Sequence, residues 1–92
     1  MIFEWNDDKN EELSTSRSVS FERVVIAIGE GKLLDILDHP NKLKYEGQRI
    51  IVVEIDDYAY CVPFVETQDG NYFLKTIFPS RKLTRIYLNR NE

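Results

Sequence analysis

The sequence predicts an α+β domain in which one curved antiparallel sheet packs against short helices, in the order β-α-α-β-β-β-β-α. Three observations predict this class. An apolar stripe with helical spacing occupies residues 21–28, strand-like apolar runs follow it, and two tight turns separate the later runs. Strands joined by tight turns lie antiparallel, so a meander is expected. The 92 residues correspond to one domain, 1–92.

The first elements are a short strand and a polar helix. Residues 2–5 alternate in the manner of a strand. Asn6 is a suitable N-cap, because its side-chain oxygen can accept from the backbone N–H groups that a helix start leaves unpaired. The helix should extend to about Thr15, with Leu13 as its apolar anchor.

The second helix is the more strongly patterned one. Ser20 is its expected N-cap, and Gly29 and Gly31 should end it. One face is apolar and should pack on the sheet, at Phe21, Val24, Val25 and Ile28.

The predicted sheet continues with residues 33–37, 49–56, 58–66 and 71–78. Asp56–Asp57 and Gln68–Gly70 are the expected turns of the meander. Proline has no N–H to donate to a neighbouring strand, so Pro63 predicts a sheet edge or a bulge at that point.

The C-terminal helix is expected from Ser80 to about Leu88. Helical spacing places its apolar side chains on one face, at Leu83, Ile86 and Tyr87, and two arginines on another, at Arg81 and Arg85. Two N-terminal helices and one C-terminal helix would then pack on the sheet.

Composition narrows the location and the chemistry. Cys61 is the single cysteine, which excludes an internal disulfide and a cysteine-based zinc site. No apolar run approaches the roughly 18 residues of a membrane span. The start lacks a basic segment followed by an apolar one, as a signal peptide would have. We therefore expect a cytoplasmic protein with no metal and no cofactor.

The charge is unevenly distributed. The chain has a net charge of −4, yet its last segment is basic, with Lys75, Arg81, Lys82, Arg85 and Arg90 against a single acid, Glu92. Such an asymmetry suggests that this end contacts an anion. The acidic remainder argues against tight non-specific binding to nucleic acid.

The basic helix is the best candidate for a functional surface. Backbone N–H groups at a helix start favour an anion, and arginine forks bind phosphate in a bidentate manner. The alternative is a solvated face whose cations pair with this protein's own acids. If the bound anion is RNA, its cleavage without a metal would also need a base for the 2′-hydroxyl and an acid for the leaving oxygen. Lys75 is expected near the same end. The candidates for proton transfer are Tyr87, Glu54, Glu66 and, less favourably placed, His39.

Two segments resemble the BrnT family of toxins. Residues 3–9, Phe-Glu-Trp-Asn-Asp-Asp-Lys, and residues 19–22, Val-Ser-Phe-Glu, are similar to the opening of that family. Residues 77–84, Ile-Phe-Pro-Ser-Arg-Lys-Leu-Thr, are similar to its Ile-Ile-Ser-Ala-Arg-Lys-Ala-Thr segment. The order of predicted elements also agrees, so the resemblance spans most of the chain.

This resemblance implies a RelE-like fold and an endoribonuclease that cleaves mRNA and inhibits translation. It also implies a hetero-oligomer with a cognate antitoxin of the ribbon-helix-helix type. Trp5, Lys9 and Arg81 match family positions. The catalytic candidates are then Arg81, Lys75 and Tyr87, and the RNA-binding candidates are Lys82, Arg85, Trp5 and Lys9.

The departures from the family keep two other functions open. Arg17-Ser18 replaces a His-Gly pair, a glutamate of the last helix is replaced near Tyr87, and the chain is acidic where the family is basic. A non-catalytic module that binds an antitoxin or another protein is the first alternative. The second is a regulatory domain with a metabolite pocket lined by Tyr58, Tyr60, Tyr72 and Phe73.

Overall fold

The computed structural model describes residues 1–89, so Arg90 and Glu92 lie outside the described residues. It confirms the α+β class. The elements are β1 (Phe3–Trp5), α1 (Asp7–Arg17), α2 (Phe21–Gly29), β2 (Leu33–Asp38), β3 (Gln48–Ile55), β4 (Tyr58–Glu66), β5 (Tyr72–Leu74), β6 (Phe78–Pro79) and α3 (Arg81–Leu88).

The sheet is mixed, which corrects the expectation of a purely antiparallel one. Its strand order is β1-β5-β4-β3-β2, with β6 also beside β4. The strands from β2 to β5 are antiparallel, but β1 pairs parallel with β5, and Phe3 lies opposite Tyr72. The sequence error has a simple cause, because no turn joins β1 to its partner and so nothing local indicates their relative direction.

The predicted last strand is divided in two. Leu74 of β5 lies opposite Phe64, whereas Phe78 of β6 lies opposite Cys61. The neighbouring strand therefore advances four residues, from 74 to 78, where β4 changes by three, from 64 to 61. The interruption lies opposite Pro63. The Pro63 carbonyl accepts from the Lys75 N–H at 2.8 Å, so the backbone of this residue faces the interruption and not β3.

Pro63 therefore causes an irregularity in the neighbouring strand and none in its own. The β3–β4 register is continuous through the pair of Ile50 and Pro63, and Pro63 is buried. The prediction of an irregularity at Pro63 is confirmed, but the extra residue falls in the neighbouring strand, and β4 itself lies inside the sheet. A proline is tolerated there because the missing N–H faces the one place where the next strand is interrupted.

Helices α1 and α2 begin as predicted. Asn6 accepts from the Lys9 N–H at 2.9 Å, and Ser20 accepts from the Arg23 N–H at 3.2 Å. The main core lies between α2 and one face of the sheet, where Phe21, Val24 and Ala27 pack with side chains that include Ile51, Val53 and Val62. Ala27 is fully buried, whereas Val25 of the predicted stripe is half-buried.

Helix α3 lies against the opposite face. Side chains alternate along a strand, so Val52 and Cys61, which are directly opposite each other, lie on the other side of the sheet from Val53. Thr84 is the fully buried residue of α3. Ile86, predicted to face the sheet, is 57% exposed.

Candidate nucleic-acid interface

The start of α3 is fixed by four hydrogen bonds, of which two join it to Ala59 of β4 and two lie within its first turn. Ser80 donates its N–H to the Ala59 carbonyl at 2.9 Å, and its hydroxyl accepts from the Leu83 N–H at 3.1 Å. Thr84 accepts from the Ala59 N–H at 2.8 Å and donates to the Ser80 carbonyl at 2.7 Å. These bonds hold the first turn of the helix, and with it the predicted basic surface, in one position on the sheet.

Arg81, Lys82 and Arg85 form an exposed basic side on this helix, named here the α3 basic side. The ion pairs of the described residues involve other cations, namely Lys9 with Glu12, Arg23 with Asp56 and Lys42 with Asp38. The alternative in which these cations neutralise the protein's own acids is therefore not favoured within residues 1–89.

The placement of two cations in the first turn is unfavourable for the isolated helix. The N-terminal end of a helix has a partial positive charge, which stabilises acids and destabilises cations there. The first turn of α3 has Arg81 and Lys82 and no acidic residue. An anion bound to the α3 basic side would remove this repulsion, so phosphate binding and helix stability favour each other.

Lys75 lies on the same edge of β4 but further along it. Its backbone is bonded to Pro63, whereas Ser80 is bonded to Ala59, which is four residues away. Four residues of strand span about 13 Å. The Lys75 ammonium lies 5.5 Å from the centre of the Phe73 ring. A strand of RNA that followed this edge of β4 would contact Lys75 together with Arg81.

Tyr87 is held by a strong hydrogen bond on the other flank of α3. Its hydroxyl donates to Asp35 of β2 at 2.6 Å. This bond raises the pKa of Tyr87 and, together with the Ile36 N–H, lowers the pKa of the Asp35 carboxyl. Tyr87 and Arg85 are two residues apart, which corresponds to about 200° around a helix. The structure therefore does not bring Tyr87 to the α3 basic side.

Trp5 lies on β1, two strands from β4 in the sheet order, and Lys9 lies on α1. The Trp5 ring stacks on Phe21 with the ring centres 5.6 Å apart, and it packs against the main core. The Lys9 ammonium lies 3.7 Å from a Glu12 carboxylate oxygen. Core packing and a local ion pair account for what these two residues contact, and their role in RNA binding stays a prediction.

The remaining titratable candidates lie apart from one another. Glu54 is half-buried on β3, and Glu66 is exposed at the end of β4. His39 accepts from the Asn41 N–H at 3.1 Å through Nδ1 and packs against Tyr45. Burial raises the pKa of the Cys61 thiol, so this side chain stays protonated and is a poor nucleophile.

The four aromatic residues of the metabolite hypothesis do not line one pocket. Tyr72 and Phe73 are consecutive in β5, so they lie on opposite faces of the sheet. Tyr72 packs on Phe64 and Phe3, whereas Tyr58 and Tyr60 lie near the other end of β4.

Asp35 is the functional candidate that the sequence did not reveal. Its signal is slight, a single acid within the apolar run of β2. The partner, Tyr87, is 52 residues further along the chain, and no local pattern connects the two.

Comparison of the chain with protein-family models, curated proteins and solved structures finds no match. Within residues 1–89, none of the helices has the length and apolar character needed to cross a membrane. The same residues contain no group of three or more His, Cys, Asp or Glu side chains arranged to hold a metal ion.

Proposed function

We propose that this chain is a BrnT-like toxin domain that binds RNA through the α3 basic side and cleaves mRNA as a metal-independent endoribonuclease. The observation that supports the proposal is the cluster of Arg81, Lys82 and Arg85, which is exposed, unmatched by described acids and fixed to β4. Arginine at the start of a helix is well suited to phosphate, because the guanidinium and the backbone N–H groups attract the same anion.

The chemical role of these residues follows from the charge that develops during cleavage. In RNA cleavage the 2′-oxygen gives up its proton and attacks the adjacent phosphorus, while the bond from this phosphorus to the 5′-oxygen breaks and the leaving oxygen takes up a proton. During this step additional negative charge develops on the phosphate oxygens, and fixed cations stabilise it. Arg81 would contact the reacting phosphate, Arg85 and Lys82 would bind neighbouring phosphates, and Lys75 would hold the strand further along the edge of β4.

Induced expression in bacteria tests this proposal. We compare the wild type with Arg81→Ala, and with Lys32→Ala as a matched control, because Lys32 is an exposed cation between α2 and β2. Growth arrest with loss of intact mRNA is expected for the wild type and the control, but not for Arg81→Ala. Normal growth with abundant folded wild-type protein would reject the ribonuclease.

A non-catalytic binding module is the second candidate, and the position of Tyr87 favours it. The hydroxyl of Tyr87 is bonded to Asp35 and lies on the flank of α3 away from Arg85. The α3 basic side would then bind an anionic partner without performing proton transfer. Purified protein that binds RNA, or a partner protein, while leaving the RNA intact would support this function over the first.

The partner and the location belong to the same proposal. The resemblance to BrnT toxins supports a cognate antitoxin of the ribbon-helix-helix type, a hetero-oligomer with it, and a cytoplasmic location. Co-purification with the product of a neighbouring gene, followed by a mass measurement of the complex, tests this part separately from RNA cleavage.

A further inference from the structure

A second polar site lies on the face of the sheet opposite α3. It is a solvent-open cleft of about 270 Å3 between the connection of α1 to α2 and the hairpin of β3 and β4. Val19 and Ile55, both almost fully buried, supply its apolar lining. The polar groups come from three separate parts of the chain, namely the end of α1, the start of α2 and the hairpin, so their convergence is a tertiary feature.

Three hydroxyl groups line this cleft without a partner among the described residues. They belong to Ser14 and Ser18, four residues apart at the end of α1, and to Tyr60 of β4. By contrast, the hydroxyl of Ser20 is used as the N-cap of α2. A hydroxyl donates one hydrogen bond, so the cleft offers three donors that a ligand could use.

Arg23 adds a cation to the cleft, and the ion pair that it already makes is weak. Its Nη2 lies 3.5 Å from the Asp56 carboxylate, at the limit of a hydrogen bond. The Asp56 side chain is 84% exposed on the hairpin turn. Exposed ion pairs of this kind contribute little to stability, so a better acceptor can replace Asp56 at small cost.

We propose that this cleft binds a compact phosphate monoester, such as a phosphorylated sugar. A guanidinium fork with several hydroxyl donors matches a group with three charged or partly charged oxygens. The phosphate takes the place of Asp56 beside Arg23, and the hydroxyls of Ser14, Ser18 and Tyr60 bind its remaining oxygens. Since small-molecule sites usually measure about 300–1,000 Å3, this volume favours a small ligand.

This site is independent of the proposed RNA surface, and the two can be separated by mutation. Inorganic phosphate and ribose 5-phosphate are titrated into the folded chain, with backbone amide NMR shifts as the readout and with chloride at equal ionic strength as the salt control. Saturable shifts are expected at residues 14–23 and 55–60. Arg23→Gln should weaken binding at least tenfold, while Arg81→Gln should leave it unchanged.

Variants that remove a single hydroxyl refine the test. Tyr60→Phe keeps the ring, Ser14→Ala suits a helix, and Ser18→Gly suits the positive φ of 55° at that residue. Each should weaken phosphate binding several-fold while the melting temperature changes little. Shifts confined to residues 81–85, the absence of saturation, or unchanged affinity in Arg23→Gln would each overturn the proposal.

Discussion

Thr84 is a polar side chain that is fully buried on the inner side of α3. Its hydroxyl is satisfied twice, as an acceptor from Ala59 and as a donor to the Ser80 carbonyl. This explains why the apolar pattern of α3 misled the prediction for Ile86. Thr84 is the residue of α3 that is buried, because its hydroxyl bonds to the backbone of Ala59 in β4. A pattern of apolar residues in the sequence does not reveal such a bond.

Replacement of Thr84 by valine should therefore destabilise the fold although the side-chain shape is retained. The Ala59 N–H would lose its acceptor in a buried position, which costs about 1–3 kcal/mol. Urea unfolding measures the change. Thr84→Ser keeps the hydroxyl and should be the milder variant, and the opposite order would show that methyl packing dominates at this position.

The bond between Tyr87 and Asp35 makes a second residue-level prediction, on pH. The pKa of Asp35 is lowered from its ordinary value of 3.8, first by Tyr87 and then by the Ile36 N–H. A lowered folded-state pKa stabilises the fold above the unfolded-state pKa, and this stabilisation is lost as the pH falls through the folded-state value. Tyr87→Phe should thus reduce stability most at neutral pH.

Urea unfolding of wild type and Tyr87→Phe from neutral to acid pH tests this expectation. The difference between the two proteins should shrink once Asp35 is protonated, because a charge-assisted hydrogen bond is stronger than a neutral one. Tyr58→Phe is a suitable control. A difference that stays constant with pH would mean that the ionised Asp35 does not contribute through Tyr87.

At the scale of elements, local signals were reliable and pairing signals were not. The N-caps predicted at Asn6 and Ser20 hold in the structure, because a cap depends on residues three positions apart, and the helix expected to start at Ser80 is capped by that residue. The tight turn at Asp56–Asp57 also holds, with positive φ at both residues. The parallel partner of β1 depends on residues far apart in the chain, and the sequence alone did not indicate it. Pro63 indicated an irregularity, but not that the extra residue would lie in the neighbouring strand.

The cap of α3 can be tested directly. Ser80→Ala removes the acceptor for the Leu83 N–H and should cost about 1 kcal/mol of stability. Ser80→Asn retains an acceptor at the cap without adding charge, so its effect should be smaller. Because α3 positions Arg81 and Lys82, Ser80→Ala should also weaken RNA binding, as measured by fluorescence anisotropy. Equal RNA affinity in both variants would show that the cap does not matter for the surface.

At the scale of the whole molecule, the sequence predicted the positive charge of the α3 basic side but not the arrangement of the other site candidates around it. The basic residues of the C-terminal segment are visible in the sequence, and the structure places three of them on one exposed helix. Their separation from Tyr87 was not visible, because it depends on which side of α3 faces the sheet. With a net charge of −4, any attraction to RNA must be local to this side.

The salt dependence of the proposed RNA binding would measure how many cations take part. Each phosphate contact with single-stranded RNA contributes about 0.7 to the slope of log affinity against log salt concentration. Arg81→Ala and Arg85→Ala should each reduce the slope by about that amount, whereas Lys32→Ala should not. Equal slopes for all variants would place the RNA on a different surface.

The pairing of β1 with β5 also has a consequence for synthesis on the ribosome. Phe3 is made before its partner Tyr72, which is added only after β2, β3 and β4 are complete. Strand β1 therefore has no neighbouring strand to pair with while the residues between them are synthesised. Contacts that join distant parts of a chain form slowly, because a large loop must close first. We expect β1 to remain unpaired in the nascent chain, and to be exposed there to proteases and chaperones, until residues 72–74 have left the exit tunnel.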